Sequence, residues 1–365
     1  MSSFRTRLQD DGVRRPSRGS PGRSAHGSSR RARAALPGIG AAVVVLAVGL
    51  SGCAGARIGD TNAAAGGGGG AGAASGECGT LKLAMNDWVG YTADAAVLTY
   101  VARTAMGCTV QQLPMKEQIA WQGFGTGQVH VIVENWGHDD LKAKYIDQQK
   151  TAVSAGPTGN IGTIGWWVPP WLAKAHPDVL QWKNLNKYAT QFATSESGGK
   201  GQLLDGDPSY VTNDEALVKN LNLNFKVVYA GSETALITSF RAAEQQKKWV
   251  IGYFYSPQWF LSEVPMQKVE LPPYTPGCDA DASKIACDYP RYDLDKIVAA
   301  KFAKDGGPAY QLVKNFQWTN DDQNLVAKYI TADKMTPDAA AKKWVEANKV
   351  RANSWLAGIG GAKPF

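Results

Sequence analysis

From residue 79 onward, short apolar runs alternate with stretches of helical periodicity. "LKLAMN" (81–86) reads as a strand, and "TADAAVLTYVARTAMG" (92–107) as a helix with Thr92 as N-cap and Gly107 as C-cap. "TVQQLPM" (109–115) predicts a second strand, "EQIAWQGFGTG" a short helix, and "VHVIVENW" (129–136) a third strand. Alternation of this kind builds a parallel sheet covered by helices. "IGWWVP" resumes it as a strand, before a helix over "TNDEALVKNLNL" (212–223), where Thr212 and Glu215 have capping-box spacing. "FKVVYA" (225–230), "SETALITSFRAAEQQKK" (232–248) and "WVIGYFY" (249–255) then read as strand, helix and strand. Beyond "KVELP", an irregular Pro/Cys/Asp loop (272–293) leads into a mostly helical end whose last helix opens at Thr336-Pro337.

Two strand–helix sets imply two α/β lobes, which the 365-residue chain is long enough to supply. The chain is expected to cross between them near 161–168 and again near 260–271. One lobe then takes residues 78–163 plus 262–365, and the other 164–261. A ligand cleft between the lobes belongs at the carboxyl ends of the strands.

The formal net charge of +7 raises the question of nucleic acid, but its distribution answers it. Residues 1–52 hold nine arginines against Asp10 and Asp11, and the rest of the chain carries 30 basic and 30 acidic side chains. The basic head precedes "IGAAVVVLAVGL" (39–50), an apolar run too short for a membrane span of about 20 residues, and then "LSGC" (50–53). That order marks residues 1–52 as a secretory signal peptide. "LSGC" resembles the lipobox of bacterial lipoproteins, which makes Cys53 the lipidated first residue of the mature protein. Residues 53–77, rich in Gly and Ala, read as a flexible tether behind that anchor. No nucleic-acid partner is expected, and the exported chain is placed on the outer face of the cytoplasmic membrane.

With Cys53 assigned to lipid, Cys78, Cys108, Cys278 and Cys287 remain. Outside the cytoplasm four cysteines suggest two disulfides, and three pairings are open. Neighbouring strand starts favour Cys78–Cys108, which leaves Cys278–Cys287. No H-E-x-x-H, nucleophile elbow or P-loop is present, and His130 with Glu134 offers too few ligands for a metal. The chain therefore reads as a non-enzyme without metal or cofactor.

The aromatic residues carry the remaining signal. Trp121, Trp249, Trp318, Trp344 and Trp355 lie among apolar neighbours and suit core packing. Trp88, Trp136 and Tyr255 each stand at the carboxyl edge of a predicted strand, where the cleft should be. Trp166, Trp167 and Trp171 lie near the first lobe crossing. Strand alternation turns Trp166 and Trp167 to opposite faces, so one of the three rings is expected in the cleft. Clustered ring faces suit a quaternary ammonium, which has no N–H to donate but is drawn to the negative face of a ring.

From about residue 79 the chain resembles the substrate-binding proteins of glycine betaine/choline/carnitine ABC importers. The stretches that carry the likeness are "LKLAMNDWVGYTADAAVLTYVA", "VHVIVENW", "GDPSY", "SETALITSFRAAEQQKKWVIGYFYSPQW" and "NFQWT". The resemblance implies an α/β two-lobed, periplasmic-binding-protein-like fold (type II) that closes on its ligand. It also implies an aromatic box for a trimethylammonium head, mapped here to Trp88, Trp136 and Tyr255. Where relatives usually read "GW-x-P-H-W" this chain reads "FYSPQW", with tyrosine in place of a box tryptophan and Gln258 in place of histidine. A ligand carboxylate would find backbone amides in "WVGYTAD" (Val89, Gly90, Tyr91) or in "GDPSYVTND" (Ser209, Tyr210). Asp87 and Glu134 would repel that carboxylate and favour a pure cation, unless hydrogen bonds turn them away. The expected protein is a monomeric receptor that hands a quaternary ammonium solute to an ABC permease. The alternatives are a receptor for an amino acid or ectoine, and a carbohydrate-binding lipoprotein.

Overall fold

The structure, a computed structural model, describes residues 78–210 and 212–365. The signal peptide, Cys53 and the tether lie outside the described residues. Nine strands form one mixed sheet: β1 (Thr80–Met85), β2 (Thr109–Pro114), β3 (Val131–Asn135), β4 (Ala152–Val168), β5 (Gly201–Asp205), β6 (Phe225–Tyr229), β7 (Ile251–Ser256), β8 (Gln267–Lys268) and β9 (Arg291–Ala299). Their spatial order is β2-β1-β3-β9-β4-β7-β5-β6, with β8 beside β4.

Two parallel groups lie at the ends of this sheet: β1 pairs with β2 and β3, and β5 with β6 and β7. Antiparallel strands join them. β4 pairs with β9 as far as Thr163, and from Thr163 onward with β7. A single 17-residue strand thus serves both halves, and its partner changes at one residue. The expected all-parallel sheet is corrected at its centre.

The helices are α1 (Val89–Met106), α2 (Glu117–Thr126), α3 (Asp139–Lys142), α4 (Pro170–Ala175), α5 (Asp214–Asn220), α6 (Glu233–Gln246), α7 (Ala300–Asp305), α8 (Gly307–Asn315), α9 (Asn320–Thr331), α10 (Pro337–Ala347) and α11 (Lys349–Trp355). α1 starts three residues before the predicted cap. Trp88 is the N-cap, and Thr92 sits inside the first turn with its hydroxyl donating to the Trp88 carbonyl. Gly107 closes the helix at φ 68°, a left-handed position suited to glycine. Thr212 does not cap α5: its hydroxyl donates to Asp205, and Asn213 precedes the helix without a side-chain cap. Thr336 does cap α10, accepting from the Ala339 amide, but the short α11 follows.

Strand β9 falls where loop and helix were expected. Asp293, Asp295 and Lys296 break its apolar alternation, yet Leu294, Lys296, Ile297 and Val298 are fully buried. The Lys296 ammonium finds its acceptors in the carbonyls of Lys314 and Phe316. Burial lowers its pKa to about 7, against the pull of Asp94.

α1 packs against α9 and α10, and its buried face is almost continuous. Cys78 and Cys108 are bridged at the starts of β1 and β2, with Cα atoms 4.7 Å apart. Cys278 and Cys287 are bridged within the loop before β9. No helix among the described residues is long and apolar enough to cross a membrane.

Candidate functional site

A cavity is lined by Trp88, Glu117, Trp136, His138, Ile164, Tyr210, Tyr253, Tyr255 and Tyr292. Six of these nine side chains are aromatic, and they arrive from both ends of the sheet. Trp88 follows β1, Trp136 follows β3 and Tyr292 lies on β9. Tyr253 and Tyr255 lie on β7, and Tyr210 lies beyond β5. The rings meet mostly edge to face: Trp136 on Tyr255 at 5.6 Å, Trp136 on Tyr292 at 5.8 Å, and Trp88 on Tyr210 at 6.1 Å.

Buried carboxyl groups hold the polar edges of these rings. Glu134, on β3 and fully buried, accepts both indole N–H groups on one oxygen: from Trp88 at 2.9 Å and from Trp136 at 2.5 Å. Its other oxygen accepts from Gln323, which also donates to Asp94 at 3.2 Å. Burial first, and then Glu134, push the Asp94 carboxyl well above its ordinary range. On the far side, Glu233 accepts from the Tyr255 hydroxyl and from Gln258 at 2.6 Å. The two carboxyls thus fix the polar edges of three of the cavity's rings: Trp88, Trp136 and Tyr255. Trp136 is also seated from behind, on Gly162 of β4. A Cβ there would come within 2.6 Å of its six-membered ring, so the strand must carry glycine beneath it.

Around the rim, Glu117 and His138 face each other at 2.9 Å, both nearly buried. Burial alone would lower the His138 pKa, but the Glu117 charge and hydrogen bond outweigh it, and the net direction is upward. Lys116 bridges Asp87 at 2.6 Å and Asp207 at 3.2 Å, tying the loops after β1 and β2 to the one after β5.

Trp88, Trp136 and Tyr255 come together on this cavity, and so does Tyr210. Trp166, Trp167 and Trp171 do not line it. Trp166 is fully buried and donates to Asp214 at 2.8 Å, Trp167 donates to the Phe254 carbonyl at 3.0 Å, and Trp171 packs edge-on to Trp249. β4 reaches the cavity with Ile164 instead, two residues earlier on the face that carries Trp166. Tyr253 and Tyr292 supply the further rings. Tyr253 was readable, because it stands two positions from Tyr255 on one strand and so shares its face. Tyr292 was hidden with the rest of β9, and nothing local marked Glu117, His138 or Glu233.

Among the rim residues, Asp87 is half exposed and paired with Lys116, while Ser209 is folded back on Asp207. Gln258 lies behind Tyr255 and also accepts from the Phe260 amide. Val89, Gly90 and Tyr91 form the first turn of α1, where Tyr91 is fully buried beneath Trp88.

Known proteins are similar to this chain over most of the described residues. Residues 79–347 match the family model of the substrate binding domain of the ABC-type glycine betaine transport system. A trimethylamine N-oxide-binding protein of Pelagibacter ubique (strain HTCC1062) is 27% identical over 264 residues, 67% of this chain and 81% of that protein. An ABC-transporter choline-binding protein solved with choline superposes with a TM-score of 0.63 at 16% identity, over 77% of this chain and 93% of that one. Lactococcal OpuAC, closed on glycine betaine, gives 0.59 at 21% identity over 76% and 98%. These two likenesses establish the two-lobed α/β fold. The family match spans most of the chain, and the chain belongs to the substrate-binding domains of ABC-type glycine betaine transport systems.

Proposed function

We propose that the protein is an extracytoplasmic receptor that captures a quaternary ammonium solute among Trp88, Trp136, Tyr210, Tyr253, Tyr255 and Tyr292. It delivers the solute to an ABC permease, and no bond is made or broken. The observation that carries this reading is six aromatic side chains on one cavity, three of them held at their polar edges by the buried carboxyls Glu134 and Glu233. A methylated cation gains about 2 kcal/mol or more from each desolvated ring face, and apolar contact for its methyl groups besides. The lobes, 78–163 plus 262–365 and 164–261, meet at the residue where β4 changes partners, which suits a hinge beside the cavity. Cys53 carries the lipid that holds this monomer at the membrane. A thermal-shift screen tests the reading: quaternary ammonium solutes should raise the melting temperature, while sugars and amino acids should not. A shift with sugars or amino acids alone would overturn it.

A further inference from the structure

In both backbone segments that could receive a ligand carboxylate, the protein's own carboxyl groups already accept from amides. The first is the N-terminus of α1, where free amides and the helix dipole favour an anion. There the Val89 amide donates to Glu233 Oε2 at 3.0 Å, in a buried contact between α1 and α6. Gly90, next in the turn, is covered by the side chain of Gln323, whose Nε2 would lie 2.8 Å from a Cβ at that position. The second segment runs from 206 to 210. Its Gly206 amide donates to Asp205 at 2.6 Å, the Ser209 amide to Asp207 at 2.8 Å, and the Tyr210 amide to the Asp207 carbonyl at 2.9 Å.

We propose that the site selects methylated ammonium cations that carry no carboxylate, because the Glu233 carboxyl already fills the α1 amide position that a ligand carboxylate would need. This rests on the quaternary ammonium reading above and narrows it. Among the described residues, no lysine or arginine lines the cavity. His138, its one basic lining group, faces Glu117, and Lys116 is held by two aspartates. A carboxylate ligand would therefore meet Glu117 in the wall and Glu134 and Glu233 behind the rings, with no free cation to offset them. Like charges brought together in this way are a strong means of rejection. Burial, and to a lesser degree the charge of Glu134, raise the pKa of Glu233, so the two acids already act on one another. A cation seated between them relieves that repulsion, and a second anion adds to it.

The cavity does keep a place for an uncharged oxygen. The Tyr210 hydroxyl is buried in its wall with no hydrogen-bond partner among the described residues. It can donate to a hydroxyl or N-oxide oxygen on the ligand without a full negative charge being brought in.

Three solutes, titrated calorimetrically into the wild-type protein, test this: tetramethylammonium, choline and glycine betaine. Choline and glycine betaine differ only at the end away from the ammonium head. Choline should bind at least about tenfold more tightly than glycine betaine, with tetramethylammonium also binding measurably. Glycine betaine binding as tightly as choline, or more tightly, would overturn the selection while leaving the aromatic box intact. If none of the three bound, the quaternary ammonium reading itself would fall, and the proposal with it. Glu233→Gln keeps the size and the acceptor but removes the charge. In that variant the choline-to-betaine ratio should move toward betaine, a readout that simple loss of packing would not shift. An unchanged ratio in a variant that melts cooperatively would show that Glu233 does not set the preference.

Discussion

Trp318, Trp344 and Trp355, near the C-terminus, and Trp88, Trp136 and Tyr255, around the cavity, are similar side chains in opposite arrangements. In the C-terminal group the ring faces are spent on one another. Trp344 stacks on Trp355 with an interplanar angle of 5° at 5.7 Å, Trp318 meets Trp344 edge-on at 5.3 Å, and Phe316 covers Trp355 at 4.8 Å. No acid holds their polar edges there: the Trp344 and Trp318 indole nitrogens have no hydrogen-bond partner among the described residues, and Trp355 donates to the Gln317 carbonyl at 2.9 Å. Around the cavity the edges of Trp88, Trp136 and Tyr255 are held by the buried acids Glu134 and Glu233. On the proposed reading, an acid that holds the polar edges is what distinguishes a ring cluster that binds from one that only packs.

The sharpest way to separate the two groups is truncation. Trp344→Ala should lower stability by about 3–5 kcal/mol, the usual cost of removing a buried large aromatic side chain. The protein that remains folded should bind its solute normally, as a denaturant melt beside a titration would show. Glu134→Ala should do the reverse in emphasis. It releases two indole edges at once, so affinity should fall by more than the roughly 30-fold expected from losing one ring contact of about 2 kcal/mol. Trp136→Ala, at a partly buried ring, should show that single-ring loss with a smaller drop in melting temperature than Trp344→Ala. If Glu134→Ala bound as well as wild type, the carboxyl would not be what aims the rings.

A pH-dependent effect lies away from both clusters. Asp214 is fully buried and accepts from Trp166 at 2.8 Å and from Tyr289 at 2.7 Å. Burial, and then Asp205, push its pKa from the ordinary 3.8 to about 8. The folded protein therefore keeps a proton on Asp214 that the unfolded chain loses above pH 3.8. Its contribution to stability is present at low pH and is lost as pH rises toward 8. Asp214→Asn removes this dependence, so the melting temperature of the variant relative to wild type should climb across that window. A constant difference between the two would contradict the assignment.

The comparison also explains what the sequence made legible. Strands β1, β3 and β7 are short apolar runs, and Trp88, Trp136 and Tyr255 stand at their carboxyl ends or just beyond, so elements and cavity-lining residues could be read together. β9 could not be read, because a strand whose buried residues include a lysine does not alternate as strands usually do. With it went Tyr292. The crowded "GWWVPPW" stretch was misleading for a related reason: ring density was visible, but the partners that turn Trp166 and Trp167 inward, Asp214 and the Phe254 carbonyl, lie 48 and 87 residues away. Glu233 read as an ordinary first-turn acid at a helix start. Its long-range contact with Val89, 144 residues distant, appears only once the lobes are folded against each other.

The central claim is that ring faces bind a positive charge, and replacing that charge tests it most directly. Choline and 3,3-dimethylbutan-1-ol share shape and hydroxyl, and differ by carbon in place of the ammonium nitrogen. Titrated calorimetrically into the wild-type protein, choline should bind at least about 30-fold more tightly than the neutral alcohol, since even one cation–π contact of about 2 kcal/mol yields that ratio. Equal affinity for the two would mean that the cavity recognises shape and apolar surface rather than charge, and the account of the site would be wrong.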